Sequence, residues 1–297
     1  MKTTFKFSLS FLFCSVLPLL IGCGSQAEEK PADKAPQASE RTKQEKKAGD
    51  RMVLTIKDVE YAFRWCPPGT FTMGSPENEP GRLPNEKQFQ ATLTQGFWML
   101  ETQVTQEMWA SVMGYNPSMF PTTLGASKKQ PVEQVSWHEC QEYITKLNDL
   151  KIAPAGFKFS LPTEAQWEYA CRAGTTTAYN FGDTLDKDKA MFGMNVTKTG
   201  TADVGTYPAN TWGFYDMHGN VEEWCLDWHM EYPSGTVTDP TGPSEPPAGD
   251  PNWARIHRGG GYDLDAQYLR SAYRGFSSPT RSALASLGLR PVLIRAE

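Results

Sequence analysis

From Gly174 to Glu297 the chain shows almost no helical periodicity, and this one feature limits its fold more than any other. A stretch of that length must place its backbone in short strands and loops. Every buried amide and carbonyl of such a chain still needs a hydrogen-bond partner. All nine tryptophans lie after Met52, among many Gly and Pro. Aromatic packing between irregular segments is therefore expected, with few long helices.

The elements that can be read sit before Gly174. Val59, Tyr61, Phe63 and Trp65 alternate with polar or small residues, the period of a half-buried strand. Pro67-Pro68-Gly69 predicts a turn into Phe71-Thr72-Met73-Gly74 and a hairpin, and Phe89, Ala91 and Leu93 predict a further strand. Thr105 can cap a short helix carrying Met108, Trp109, Val112 and Met113, closed by Gly114. Ser136 with Glu139 forms a capping box ahead of Cys140, Tyr143, Ile144 and Leu147. Thr163 with Gln166 forms another ahead of Trp167, Ala170 and Cys171, ending at Gly174. The class is α+β.

The first residues bear on location. Phe7 to Ile21 form an apolar run of 15 residues after Lys2 and Lys6. That is short of the roughly 20 needed to span a bilayer, so it reads as a secretory segment. Leu20-Ile21-Gly22-Cys23 resembles the bacterial lipoprotein cleavage box, which makes 1–22 a signal peptide and Cys23 the acylated residue. Gly24, and not Asp, after that Cys fits outer-membrane sorting in a Gram-negative host. Gly24 to Arg51 contain no Val, Ile, Leu, Met or aromatic residue, so 23–51 are expected to be a disordered polar tether and 52–297 the domain. Without Lys2 and Lys6 the chain carries 27 bases against 34 acids, a net charge of −7 that disfavours nucleic acid. The expected location is the extracytoplasmic face of the cell envelope, with the membrane reached through the lipid.

Seven motifs in order, between about Trp65 and Val292, resemble the sulfatase-modifying factor family, whose type member is the formylglycine-generating enzyme. They are Thr72–Ser75, Val104–Gln106, Met113–Ser118, Pro131–Trp137, Leu161–Ala170, Gly213–Val221 and Arg258–Gly260. The resemblance implies a C-type-lectin-related fold. It does not settle the reaction, because the family also holds ergothioneine-pathway sulfoxide synthases and gliding-motility lipoproteins.

The type enzyme oxidises a sulfatase Cys with O₂, using copper held by two cysteines separated by four residues. The resemblance places those positions at Leu264 and Leu269, which cannot ligate Cu(I). The family's Ser falls on Gly261 and the first Trp of its Gly-Asn-x-Trp-Glu-Trp motif on Glu222. Copper is thus not expected. The resemblance implies calcium at Asp216, Gly219, Val221 and Glu223, through carboxylate and backbone oxygens. A second family calcium site falls between about Ala190 and Asp203, without assignable ligands.

The other candidates are weaker. Cys66, Cys140, Cys171 and Cys225 allow three disulfide pairings, but Cys140 and Cys171 lie on apolar helix faces, and buried reduced thiols are the expectation. Cys66 is not a sulfatase-type substrate motif, because Thr70 stands where that motif has Arg. Asp227, His229 and Glu231 would share a face if extended, a possible metal set. Asn195-Val196-Thr197 fits a glycosylation sequon that a bacterial lipoprotein would not use. Arg258, Arg270 and Arg274 are expected to bind loop carbonyls and carboxylates, leaving Asp263, Asp265 and Gln267 for a protein or glycan partner. The expected function is a lipid-anchored, calcium-stabilised, non-catalytic binding or scaffold module. The alternative is a formylglycine-generating oxidase or another oxidoreductase of the family.

Overall fold

The computed structural model describes residues 45–120, 126–194, 200–246, 253–281 and 285–296. Cys23, the signal segment, the tether up to residue 44 and the Asn195 sequon lie outside them.

The fold is α+β, of the C-type-lectin-like kind, with three α-helices and three small sheets among the described residues. The largest sheet runs β1 (Arg51–Ile56), β2 (Val59–Cys66), β5 (Phe97–Leu100), β12 (Val292–Arg295), β6 (Phe157–Ser160). A four-stranded sheet runs β10 (Gly275–Ser277), β9 (Arg255–Arg258), β7 (Glu222–Trp228), β11 (Leu287–Gly288). The third runs β3 (Gly69–Met73), β4 (Phe89–Leu93), β8 (Thr236–Thr238).

The period of two in β2 buries Tyr61, Phe63 and Trp65. Lys57 and Asp58 form the two-residue turn between β1 and β2, both with positive φ (48° and 66°), as the twist of a tight hairpin requires. The predicted hairpin across Pro67–Gly69 does not form. β2 pairs with β1 and β5, up to Cys66 opposite Phe97, whereas β3 pairs with β4 in another sheet. The two prolines, which have no N–H for a ladder, mark where the chain leaves one sheet for the next. The folded unit also begins before Met52. Gly49 donates to the Trp65 carbonyl, Trp65 donates to that of Asp50 (both 2.9 Å), and Lys46 lies 4.5 Å from the Trp65 ring centre.

The helices start where local chemistry places them. Thr105 accepts from the Met108 amide ahead of α1 (Gln106–Met113), and Gly114 closes it at φ 85°. Both capping boxes form, at Ser136 for α2 (Trp137–Asp149) and at Thr163 for α3 (Glu164–Arg172). α3 ends at Arg172, two residues before Gly174, because its cap Ala173 already turns left-handed at φ 44°.

α1 and α2 pack on the large sheet, where Trp109 stacks on Tyr143 at 5.0 Å and Tyr61 bonds Tyr143 at 2.8 Å. A second core gathers Trp167, Ala170 and Cys171 of α3 with Met73, Phe97, Met217, Cys225 and Ile256. All four cysteines after Cys23 are buried and none is bonded to another. Burial pushes the Cys171 thiol up to about 12, although Ser271 bonds it.

Thr163→Ala removes the amide partner of Gln166 and should lower unfolding free energy by about 1 kcal/mol in a urea titration. An unchanged midpoint would show that packing alone fixes the start of α3.

Candidate functional site

The segment 258–274 is tied down by three buried arginines. Arg258 donates to the carbonyls of Ser271 (2.8 Å), Ala272 (3.0 Å) and Tyr273 (2.6 Å), and to the Glu168 carboxylate. Arg270 bonds Glu79 and both oxygens of Glu86, and reaches the carbonyls of Gly81 and Gln267. Arg274 holds both oxygens of Glu164 and the carbonyls of Asn85 and Met230. Burial opposes charge on Glu164, but Arg274 and Arg258 outweigh it and hold that carboxyl below its usual range. The sequence marks the arginines but does not mark their acids. The available signal was Glu164, Glu168 and Arg172 at four-residue spacing, one face of α3, all buried.

These anchors shape the loop that Leu264 and Leu269 occupy. Gly259 and Gly260 take φ of 96° and 70°, and a side chain on Gly260 would meet the Tyr268 carbonyl at 2.6 Å. Leu269 is fully buried against Ala178, Tyr179, Leu185, Ala190 and Phe192, with Leu264 packed on the same cluster. Asp263, Asp265 and Gln267 are exposed, alternating with half-buried Leu264, Ala266 and Tyr268. Beneath the loop, His218 Nδ1 lies 2.7 Å from the Leu269 carbonyl, so Nδ1 carries the proton and Nε2 accepts from the Asn180 amide. Burial pushes His218 down to about 4, which keeps the ring neutral.

Two further sets of buried polar side chains also stand here. Glu222 Oε1 is 2.8 Å from His257 Nδ1, off the line of a hydrogen bond, and His257 Nε2 is 3.2 Å from Ser277 Oγ. These side chains, 5–9 % exposed, brace β7, β9 and β10. Glu133 is fully buried; one oxygen accepts from the Phe120 amide and the other has no partner. Desolvation pushes its carboxyl up to about 7.

The implied calcium set does not fit. The Glu223 carboxylate is taken by Arg290 (2.8 and 2.9 Å) and by Trp167 Nε1 at 2.6 Å. Asp216 Oδ2 accepts from the Gly205 amide at 2.7 Å. The carbonyls of Asp216, Gly219 and Val221 do converge, on the carboxamide of Gln103. A calcium ion needs several oxygens including anionic ones, and here the anions face other partners. The period-two set fails as well. β7 ends at Trp228; Asp227 accepts from the Glu164 amide, while the His229 ring stacks on Phe276 at 4.1 Å.

A lectin-like scaffold of small sheets, with an arginine-tied loop over α3, defines the class: a formylglycine-generating-enzyme-like domain. The chain belongs to the sulfatase-modifying factor enzyme 1-like domain family, which it matches over residues 57–294. The chaperone protein LppX of Paenibacillus barcinonensis is 28 % identical over 60 % of this chain and 74 % of its own length. The formylglycine-generating enzyme of Bos taurus is 32 % identical over 61 % of this chain and 50 % of its own, so the chain spans only half of that relative. The solved structure of Treponema denticola variable protein 1 superimposes with a TM-score of 0.71 at 26 % identity, covering 83 % of this chain and 99 % of that one.

Arg270→Ala leaves Glu79 and Glu86 buried without their cation and should cost about 3–5 kcal/mol. Asp263→Ala with Asp265→Ala should leave the melting temperature within about 1 °C, since exposed changes cost little. Comparing the two proteins by calorimetry checks both.

Glu133 should also make stability depend on pH. Its native pKa of about 7 lies above the unfolded value near 4.5, so its contribution is complete below pH 4.5 and lost as pH rises to 7. Glu133→Gln should flatten that part of the stability curve in urea titrations at pH 4.5 and 8. An identical slope in the variant would contradict this.

Proposed function

We propose that this chain is a lipid-anchored cell-envelope protein whose sulfatase-modifying-factor-like domain serves as a binding or scaffold module, without copper oxidase chemistry. The observation that carries the reading is the apolar cluster around Leu269. Where the type enzyme would hold copper between thiolates, this chain packs two leucines against Phe192, Tyr179 and Ala178. The four described thiols offer no substitute pair, since each is buried and burial raises each pKa. A thiol held protonated is a poor ligand and a poor nucleophile.

Three features support a binding role. Arginine anchoring makes the 258–274 loop a rigid platform, which lowers the entropic cost of association. Asp263, Asp265 and Gln267 present an acidic, hydrogen-bonding edge that suits a protein or glycan surface bearing donors or positive charge. The similarity to LppX, a protein named as a chaperone, fits assistance to another envelope protein. The lipid anchor rests on Cys23 after its apolar run.

Incubating the purified domain with copper, O₂ and a Cys-x-Pro-x-Arg peptide tests the reading. No aldehyde should be captured by a hydrazide probe and mass spectrometry; aldehyde formation would establish an oxidase. In cells, Cys23→Ser should abolish incorporation of labelled palmitate, and retained label would remove the anchor.

A further inference from the structure

The loop from Asp216 to Val221 is wound tightly, with left-handed backbone at Asp216 (φ 55°), Gly219 (φ 95°) and Asn220 (φ 64°). Such winding turns carbonyls inward, and inward carbonyls need a positive partner. Here that partner is Gln103, which is fully buried. Its Nε2 lies 3.2 Å from the Asp216 carbonyl, 3.2 Å from that of Gly219 and 2.8 Å from that of Val221.

The backbone around Gln103 fixes the side chain in that place. Val104 donates to Leu289 at 3.0 Å and accepts from Val132 at 2.9 Å, while Thr105 caps α1. The Tyr215 amide donates to the Glu101 carbonyl at 3.0 Å, which draws the loop over this segment. The amide orientation also follows from the surroundings. Three acceptors face one end of the side chain, and Oε1 at the other end has no partner. Turning the amide over would set Oε1 against three carbonyl oxygens.

A full positive charge, Arg290, lies fully buried beside the cage. It donates to the Tyr215 carbonyl at 2.8 Å, to the carbonyls of Leu100 and Glu101, and to both oxygens of Glu223. Its Nη2 is 3.5 Å from the Asp216 carbonyl. A metal ion among the three carbonyls would therefore meet a guanidinium close by, with the Glu223 carboxylate already held by that guanidinium. A neutral amide supplies donors without adding charge.

We propose that the Gln103 carboxamide takes the place of a cation in this loop, so that the domain holds its fold without calcium. Residue 103 then decides whether the loop binds metal. Gln103→Glu puts a carboxylate among three carbonyls, with no proton to share, and converts the cage into a calcium site.

Thermal unfolding of the full chain and isothermal titration with CaCl₂ test this. The natural protein should show the same melting temperature in EGTA and in millimolar CaCl₂, with no binding heat. Gln103→Met, similar in shape but without donors, should lower the melting temperature by about 5–10 °C in both buffers. Gln103→Glu should be destabilised in EGTA and recover in CaCl₂, with heat of binding. A natural protein destabilised by EGTA would overturn the proposal. So would a Gln103→Met protein as stable as the natural one, or a Gln103→Glu protein indifferent to calcium.

Discussion

The buried arginine that binds carboxylate and carbonyl oxygens together is the interaction on which this structure depends. Arg258, Arg270, Arg274 and Arg290 all do so, each at most 3 % exposed. A domain with so little regular structure has many carbonyls outside helix or sheet ladders. A planar guanidinium can satisfy several at once, and the carboxylate keeps its charge tolerable inside the protein. α3 supplies two of those carboxylates, Glu164 and Glu168, so the helix anchors loops as well as filling the core.

That arrangement separates the framework from whatever chemistry a family member performs. The arginines around Leu264 and Leu269 hold the loop through carbonyls and carboxylates, with no bond to either leucine side chain. Side chains at those two positions face an apolar cluster, and leucine suits it. Glu222 turns its carboxylate toward His257 at the start of the β7–β9 pairing, whose register shifts between Trp224 and Trp228.

The parts legible in the sequence are those fixed by neighbours. Ser136 and Glu139, or Thr163 and Gln166, make their bonds three residues apart, so the capping boxes could be read directly. The alternation in β2 reports its burial in the same local way. Strand partners could not be read, because β3 pairs with β4, the next strand, and not with the still nearer β2. The candidate site divides similarly. Arg270 was visible as a structural residue, but Glu79 and Glu86 lie more than 180 positions away. Gln103 sits just before a recognisable motif, and its significance lies in a loop 113 residues downstream. The loop's own pattern resembles an ion site, and the side chain on which its carbonyls converge lies elsewhere in the chain.

The place of β12 bears on the order in which the chain can be assembled. It lies between β5 and β6 and pairs antiparallel with both. Until residues 292–295 have been made, β1, β2 and β5 have no connection through the ladder to β6. A nascent chain emerging in sequence order can build the hairpin and the helices, yet it must carry its largest sheet in two pieces. Closing a sheet through contacts this distant in sequence is a slow kind of folding step. The domain thus reaches synthesis of β12 without a finished core, and its largest sheet becomes continuous only when that strand is in place.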